Sequence, residues 1–113
     1  MPYVDGFILA VSRDRLADYE AMARTAGEVW KEHGALAYVE CVADDVPYGE
    51  LTSFPRAVLA KDDEIVVFSW IVHESREKRD ETNARAMADP RLKMDDPSQF
   101  PFDGKRMIYG GFK

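Results

Sequence analysis

Cysteine and histidine are scarce in this sequence: Cys41 is its single cysteine, and His33 and His73 are its two histidines. One cysteine excludes an intrachain disulfide and fits a reducing compartment. Two histidines, with no paired-cysteine spacing, are too few for a metal centre unless carboxylates join them. Haem would have only His33 or His73 to draw on as an axial ligand. No metal and no cofactor is therefore expected. Positive charge is also short, with 15 Lys and Arg against 21 Asp and Glu, a formal net charge of −6. Binding nucleic acid through its phosphates requires a basic face. The concentrated basic runs here, Arg76-Glu77-Lys78-Arg79 and Lys105-Arg106, have acids among or near them. The charge thus disfavours an RNA partner. No apolar run approaches the ~20 residues of a membrane span. Met1-Pro2-Tyr3-Val4-Asp5-Gly6 has no basic segment leading into an apolar one, as a secretory signal would. A cytoplasmic protein with no membrane partner is expected. Phosphate-cradling glycine loops, His-Glu-x-x-His and the nucleophile elbow are all missing.

What is present reads as one folded unit over 1–113. The composition is 46% hydrophobic and 32% charged, globular rather than disordered, and 113 residues suffice for one core. Tyr3 to Val11 is rich in Val, Ile, Phe and Leu and predicts a strand. Ser12 is placed to cap a helix from Arg13 to His33. Leu16, Tyr19, Ala23, Ala26 and Trp30 recur at helical spacing along it, widened by Met22 and Val29. Gly34 suits a left-handed cap. Leu36 to Ala43 predicts a second strand, and Asp44 to Phe54 a loop broken by Pro47 and Gly49. Arg56 to Ala60 and Glu64 to His73 predict a hairpin. Ser75 caps a helix from Arg76 to Ala88, and Pro90 bars its continuation. Arg91 to Gly104 is irregular, and Lys105 to Phe112 closes the chain as a strand. This is an α+β order, the ferredoxin-like split βαβ plan with an insertion: an antiparallel sheet with two helices on one face.

A sheet with one wet face alternates apolar and polar residues. These strands do not. In Ile65 to Val72 one face carries Ile65, Val67, Ser69 and Ile71, and the other Val66, Phe68, Trp70 and Val72. Two helices cover one face, and a second copy of the chain is the economical cover for the other, giving a homodimer.

Several stretches carry a family likeness. They are Tyr3-Val4-Asp5-Gly6-Phe7, Trp30-Lys31-Glu32-His33-Gly34-Ala35-Leu36, Tyr38-Val39-Glu40-Cys41-Val42-Ala43-Asp44-Asp45 and Thr52-Ser53-Phe54-Pro55. Val67-Phe68-Ser69-Trp70-Ile71-Val72 and the ending Pro101-Phe102-Asp103-Gly104-Lys105-Arg106-Met107-Ile108-Tyr109-Gly110-Gly111-Phe112 belong with them. Together they resemble the DUF1428 (YbaA-like) family over nearly the whole chain. The resemblance implies the dimeric α/β-barrel superfamily, in which two ferredoxin-like subunits pack their sheets together. It implies no established activity. Relatives on the same fold include cofactor-free monooxygenases, haem-degrading enzymes, isomerases and simple ligand-binding proteins.

A few polar residues on apolar elements are candidates for chemistry. Asp5 and Glu40 sit inside predicted strands, where an ionised carboxylate is costly unless paired. Each faces either a polar cavity between sheet and partner, as acid or base, or an Arg or Lys in a structural ion pair. His73 ends a strand beside Glu74, either as a general base at a cavity mouth or as a solvated strand end. His33 closes a helix, where the dipole favours a cation. With Glu40 facing a cavity, Cys41 falls under the helices as inert packing. The second helix has Arg76, Arg79, Asn83 and Met87 on one stripe. Either Arg79 and Asn83 hold an anion, or Ala84, Ala86 and Met87 do the packing while the rest is solvated. Tyr38, Phe68, Trp70 and Tyr109 line an apolar ligand pocket or form a dimer core. Gly110-Gly111 signals a bulge or a close approach. The leading reading is a dimeric domain binding a small molecule between sheet and helices. The alternative is a cofactor-free monooxygenase- or isomerase-like enzyme on a small, partly apolar substrate. In it Asp5, Glu40 or His73 is the acid or base, and Tyr38 and Trp70 hold the substrate.

Overall fold

The computed structural model describes residues 1–94 and 96–113. Four strands form one antiparallel sheet: β1 (Tyr3–Ser12), β2 (Ala37–Val42), β3 (Glu64–His73) and β4 (Ile108–Phe112), in the spatial order β2-β3-β1-β4. Helices α1 (Leu16–Glu32) and α3 (Arg76–Met87) follow β1 and β3. A one-turn helix α2 (Phe54–Ala57) lies in the excursion between β2 and β3. This is the split βαβ plan expected from the order of elements.

Register sorts every strand residue onto a face. Tyr3 opposes His73, Asp5 opposes Ile71, Phe7 opposes Ser69, and Leu9 opposes Val67. Tyr38 opposes Ile71 and Glu40 opposes Ser69. These residues share the face that the helices cover. Leu9, Val11 and Val67 pack there against Tyr19 and Ala23 of α1, with Leu16, Met22 and Phe102 around them. Burying each such aliphatic side chain contributes about 1.5–3 kcal/mol. α1 ends in a Schellman turn: Gly34 N–H donates to Lys31 O and Ala35 N–H to Trp30 O, with Gly34 at φ 128°. Gly27, mid-helix, is buried against the Tyr38 ring, whose nearest atom lies 3.0 Å from where a Cβ would be. The helical stripe therefore runs through Gly27, where the sequence pattern suggested Ala26.

The opposite face carries Val4, Ile8, Phe68, Trp70, Val72, Val39, Ile108 and Phe112. One end of it is covered by the chain's own excursion, where Val58 is fully buried against Ala10 and Val66. The rest is open, and Phe68 and Phe112 are 41% and 64% exposed.

Three local expectations are corrected. Arg56 to Ala60 is not a strand. Ser53 Oγ accepts the Arg56 N–H at 3.1 Å and Pro55 occupies the first turn, so the chain forms the one-turn helix α2, which ends at Ala57 within the segment. Ser12 makes no side-chain cap, because a 3₁₀ turn at Arg13–Arg15 intervenes before α1. The last strand starts at Ile108, after a 3₁₀ turn at Gly104–Arg106 that Asp103 caps. Gly110 and Gly111 pair continuously with Gly6 and Asp5 without a bulge. Gly111 instead answers a close approach, because a Cβ there would run into Tyr3 and the Arg79 guanidinium.

The stretch 91–104 is held down by Arg15, which donates to Gln99 O and Phe100 O, and by a bridge from Phe102 to Val11. Asp95 of that stretch lies outside the described residues.

Candidate functional site

Alternation along β2 brings Tyr38 and Glu40 to the helix-covered face, two residues apart. α1 brings Tyr19 to the same place. Both phenols donate to the one carboxylate, Tyr19 Oη to Glu40 Oε1 at 2.7 Å and Tyr38 Oη to Glu40 Oε2 at 3.0 Å. Burial and then the Glu40 charge push both phenols far above the ordinary tyrosine range. They remain O–H donors at any physiological pH. Above this carboxylate opens a groove of about 340 Å³ between α1 and β2. Ala23, Gly27, Tyr38 and Glu40 form its inner part, and the exposed Arg24, Glu28 and Lys31 its rim. The missing side chain at Gly27 lets the Tyr38 ring lie close to the helix. Trp30 packs beside that ring, with centroids 6.5 Å apart.

A second polar group lies under α3. His73 Nε2 is 3.3 Å from Asp5 Oδ2, and Arg79 Nε is 3.4 Å from Asp5 Oδ1. Arg79 also donates to Tyr3 Oη at 2.9 Å and stands over the Tyr3 ring. His73 is fully buried, and neither ring nitrogen makes a hydrogen bond among the described residues. Burial lowers its pKa, against the opposing pull of Asp5, so the ring is neutral at physiological pH. Trp30 ties this group to the first one. Its ring packs on Tyr38 while Nε1 donates to Asn83 Oδ1 at 3.0 Å.

The sequence-predicted residues thus divide. Tyr38 and Glu40 meet in the groove, while Asp5, His73 and Arg79 meet under α3, where Asp5 is ion-paired. Both carboxylates lie on the helix side of the sheet rather than on its open face, and Asp5 meets the ion-pair alternative with Arg79. The register that sets Glu40 against Ser69 puts Cys41 against Phe68 on the open face, so Cys41 is exposed rather than packed under the helices. Trp70 is on the open face too, opposite Val39, and cannot share a pocket with Tyr38. Tyr109 lies at the β4 edge, 73% exposed and stacked on Phe7. His73 is neither a cavity mouth nor a solvated end, because α3 folds back over it. Arg79 and Asn83 are engaged by Tyr3, Asp5 and Trp30 and hold no open pocket. Met87 and Ala84 are exposed, and α3 buries Thr82 and Ala86. His33 at the end of α1 meets Asp89 at 3.0 Å. Arg91, by hydrogen bond above all, holds that carboxyl well below the usual range.

Tyr3, Tyr19, Gly27 and Trp30 escaped the sequence reading, Tyr19 and Trp30 as members of an apolar stripe. A hydroxyl on a buried helical stripe does carry a signal: it requires an acceptor on the facing strand. Among the described residues no three His, Cys, Asp or Glu side chains converge as a metal site would require. No helix among them is long and apolar enough to cross a membrane.

The family model DUF1428, described as a protein of unknown function, matches residues 2–104. The uncharacterized protein YbaA of Escherichia coli K12 is 54% identical over 113 residues, covering 100% of this chain and 96% of that protein. Two solved structures resemble the fold at low identity. Rv0793 from Mycobacterium tuberculosis has a TM-score of 0.54 at 12% identity, covering 100% of this chain and 94% of that one. Atu4242 from Agrobacterium tumefaciens has a TM-score of 0.54 at 20% identity, covering 98% and 91%.

Proposed function

We propose that this chain, which belongs to the DUF1428 family of unknown function, binds a small molecule in the groove between α1 and β2. One observation carries the reading: a half-buried carboxylate, fixed by two tyrosine hydroxyls, forms the floor of a groove of about 340 Å³. That volume falls within the ~300–1,000 Å³ of small-molecule sites. Its lining sets one aromatic ring, Tyr38, among charged and polar groups that can orient a ligand. Titration of the ¹⁵N-labelled protein with a fragment library tests it. Amide shifts clustering on Ala23 to Lys31 and Tyr38 to Glu40 are expected. Shifts that cluster elsewhere, or a library with no hits, refute it.

His73 favours a second reading, a cofactor-free acid–base enzyme. A neutral, fully buried imidazole beside Asp5 is equipped to accept a proton once α3 admits a substrate. A bound fragment would then shift the His73 ring signals, and unchanged signals across all hits would dismiss this role. We also infer that the open sheet face pairs with a second copy. Its exposed Phe68, Ile108 and Phe112 form an apolar patch on the side away from α1 and α3, so pairing leaves the groove accessible. Native mass spectrometry reads the subunit number directly, and a monomer would end this inference.

A further inference from the structure

We infer that the ligand of the α1–β2 groove carries an ammonium group and that Glu40 is its counter-charge. This rests on the groove being the binding site and goes on to name the ligand's chemistry.

Glu40 is a half-buried carboxylate that makes no ion pair among the described residues. The two phenols satisfy one site on each oxygen but bring no charge. A carboxylate offers about four acceptor sites, so roughly half remain for a donor from the groove. The nearby cations do not fill that role. Arg24 is an exposed rim residue paired with Glu20 at 2.8 Å. Lys31 is likewise exposed on the rim. The inner part of the groove thus holds one negative charge beside the Tyr38 ring. Aromatic faces beside a carboxylate attract a cation by the ring quadrupole as well as by charge. An anion entering to the same depth would meet Glu40, and at the rim Glu28. A neutral molecule would leave the carboxylate partly desolvated and uncompensated. Lys31 at the mouth makes no ion pair among the described residues and can meet a carboxylate on the far end of the same molecule, so a zwitterionic amine fits as well as a simple one.

Three probes of one shape isolate the charge: 2-phenylethylamine, 2-phenylethanol and phenylacetate, each titrated into ¹⁵N-labelled protein at constant ionic strength. The amine is expected to shift the Gly27, Tyr38 and Glu40 amides with a Kd at least about tenfold below those of the alcohol and the acid, the effect of one partly desolvated charge pair. Glu40→Gln is expected to abolish that preference. Equal or tighter binding of the alcohol or the acid at these residues overturns the ammonium assignment and leaves the groove as the site. An amine preference that survives in Glu40→Gln overturns it too. Groove amides that respond to none of the three probes remove the assignment and the binding site together. The comparison among probes is made on the wild-type chain, so the outcome stands even if the variant does not fold.

Discussion

The Tyr19–Glu40 hydrogen bond is the joint on which the groove depends, and its strength can be measured without knowing the ligand. Tyr19 is 6% exposed, and its hydroxyl donates to an ionic acceptor at 2.7 Å. Hydrogen bonds to charged groups contribute about 1.5–3 kcal/mol. Glu40 is half-buried, which places this bond at the lower end. Tyr19→Phe is therefore expected to cost about 1.5–2 kcal/mol. Glu40→Gln loses charge assistance to both phenols and is expected to cost about as much. Gln keeps a carbonyl that can accept from one phenol, so the coupling in the double variant is expected near 1 kcal/mol rather than the full bond. Urea unfolding followed by Trp30 and Trp70 fluorescence, with unchanged m-values, gives the four stabilities of the cycle. Additivity within about 0.3 kcal/mol would refute the joint. The same phenols predict alkaline behaviour. Their folded-state pKa lies above the unfolded one of about 10, so the unfolded chain loses those protons first. The stabilisation is complete below about pH 10 and is lost above it, by up to about 1.4 kcal/mol per pH unit for each phenol.

Further predictions concern the other half of the molecule. His73 has its pKa lowered by burial, so the unfolded chain takes up the proton first as pH falls. Stability should decline below about pH 6.5 by up to about 1.4 kcal/mol per pH unit. His73→Gln should flatten that limb in urea unfolding between pH 7.5 and 5, and a limb retained in the variant assigns it to another group. Gly111→Ala places a Cβ against Tyr3 and Arg79 and should cost about 1–3 kcal/mol, read as a lower thermal midpoint. No change would mean that the guanidinium moves aside freely. Phe68→Lys on the open face should leave the folded chain intact by circular dichroism while converting it to a monomer in native mass spectrometry. A variant that stays paired would show that the patch is not the contact.

Much of the fold is legible because the strands announce themselves by composition, α1 by its periodic stripe and the Gly34 turn, and α3 by its Ser75 cap. β3 reads to the residue from Glu64 to His73, and Ser75 does cap α3, accepting from Lys78 N–H. The Arg56–Ala60 segment failed because a short apolar run has no period to decide between strand and helix. The deciding signals, Ser53 and Pro55, sit just before it. The site was harder for two reasons. Alternation establishes that Glu40 and Cys41 oppose each other, but which of them looks toward the helices depends on pairing with β3, a contact distant in sequence. His73 looked solvated for a similar reason. A strand end says nothing about a helix that returns over it, and the residues that enclose it, Tyr3 and Arg79, come from opposite parts of the chain.

The two helices are attached to the sheet by different kinds of interaction. α1 sits on it through Tyr19, Ala23, Gly27 and Val29. α3 is held by Arg79 to Tyr3 and Asp5, by Asn83 to Trp30, and by Thr82 Oγ1 donating to His33 O, with Ala86 its one buried apolar side chain. Neutral polar contacts are exchanged for water at a net cost of only about 0.5–1.5 kcal/mol each, and those of the Arg79 guanidinium at about 1.5–3 kcal/mol, whereas peeling α1 away exposes the core. α3 should therefore open as a separate unit well below the global unfolding free energy. Its amides would exchange with deuterium long before those of α1. Each such opening would bring His73 and Asp5 into contact with water while the groove on the far side of Trp30 stays formed.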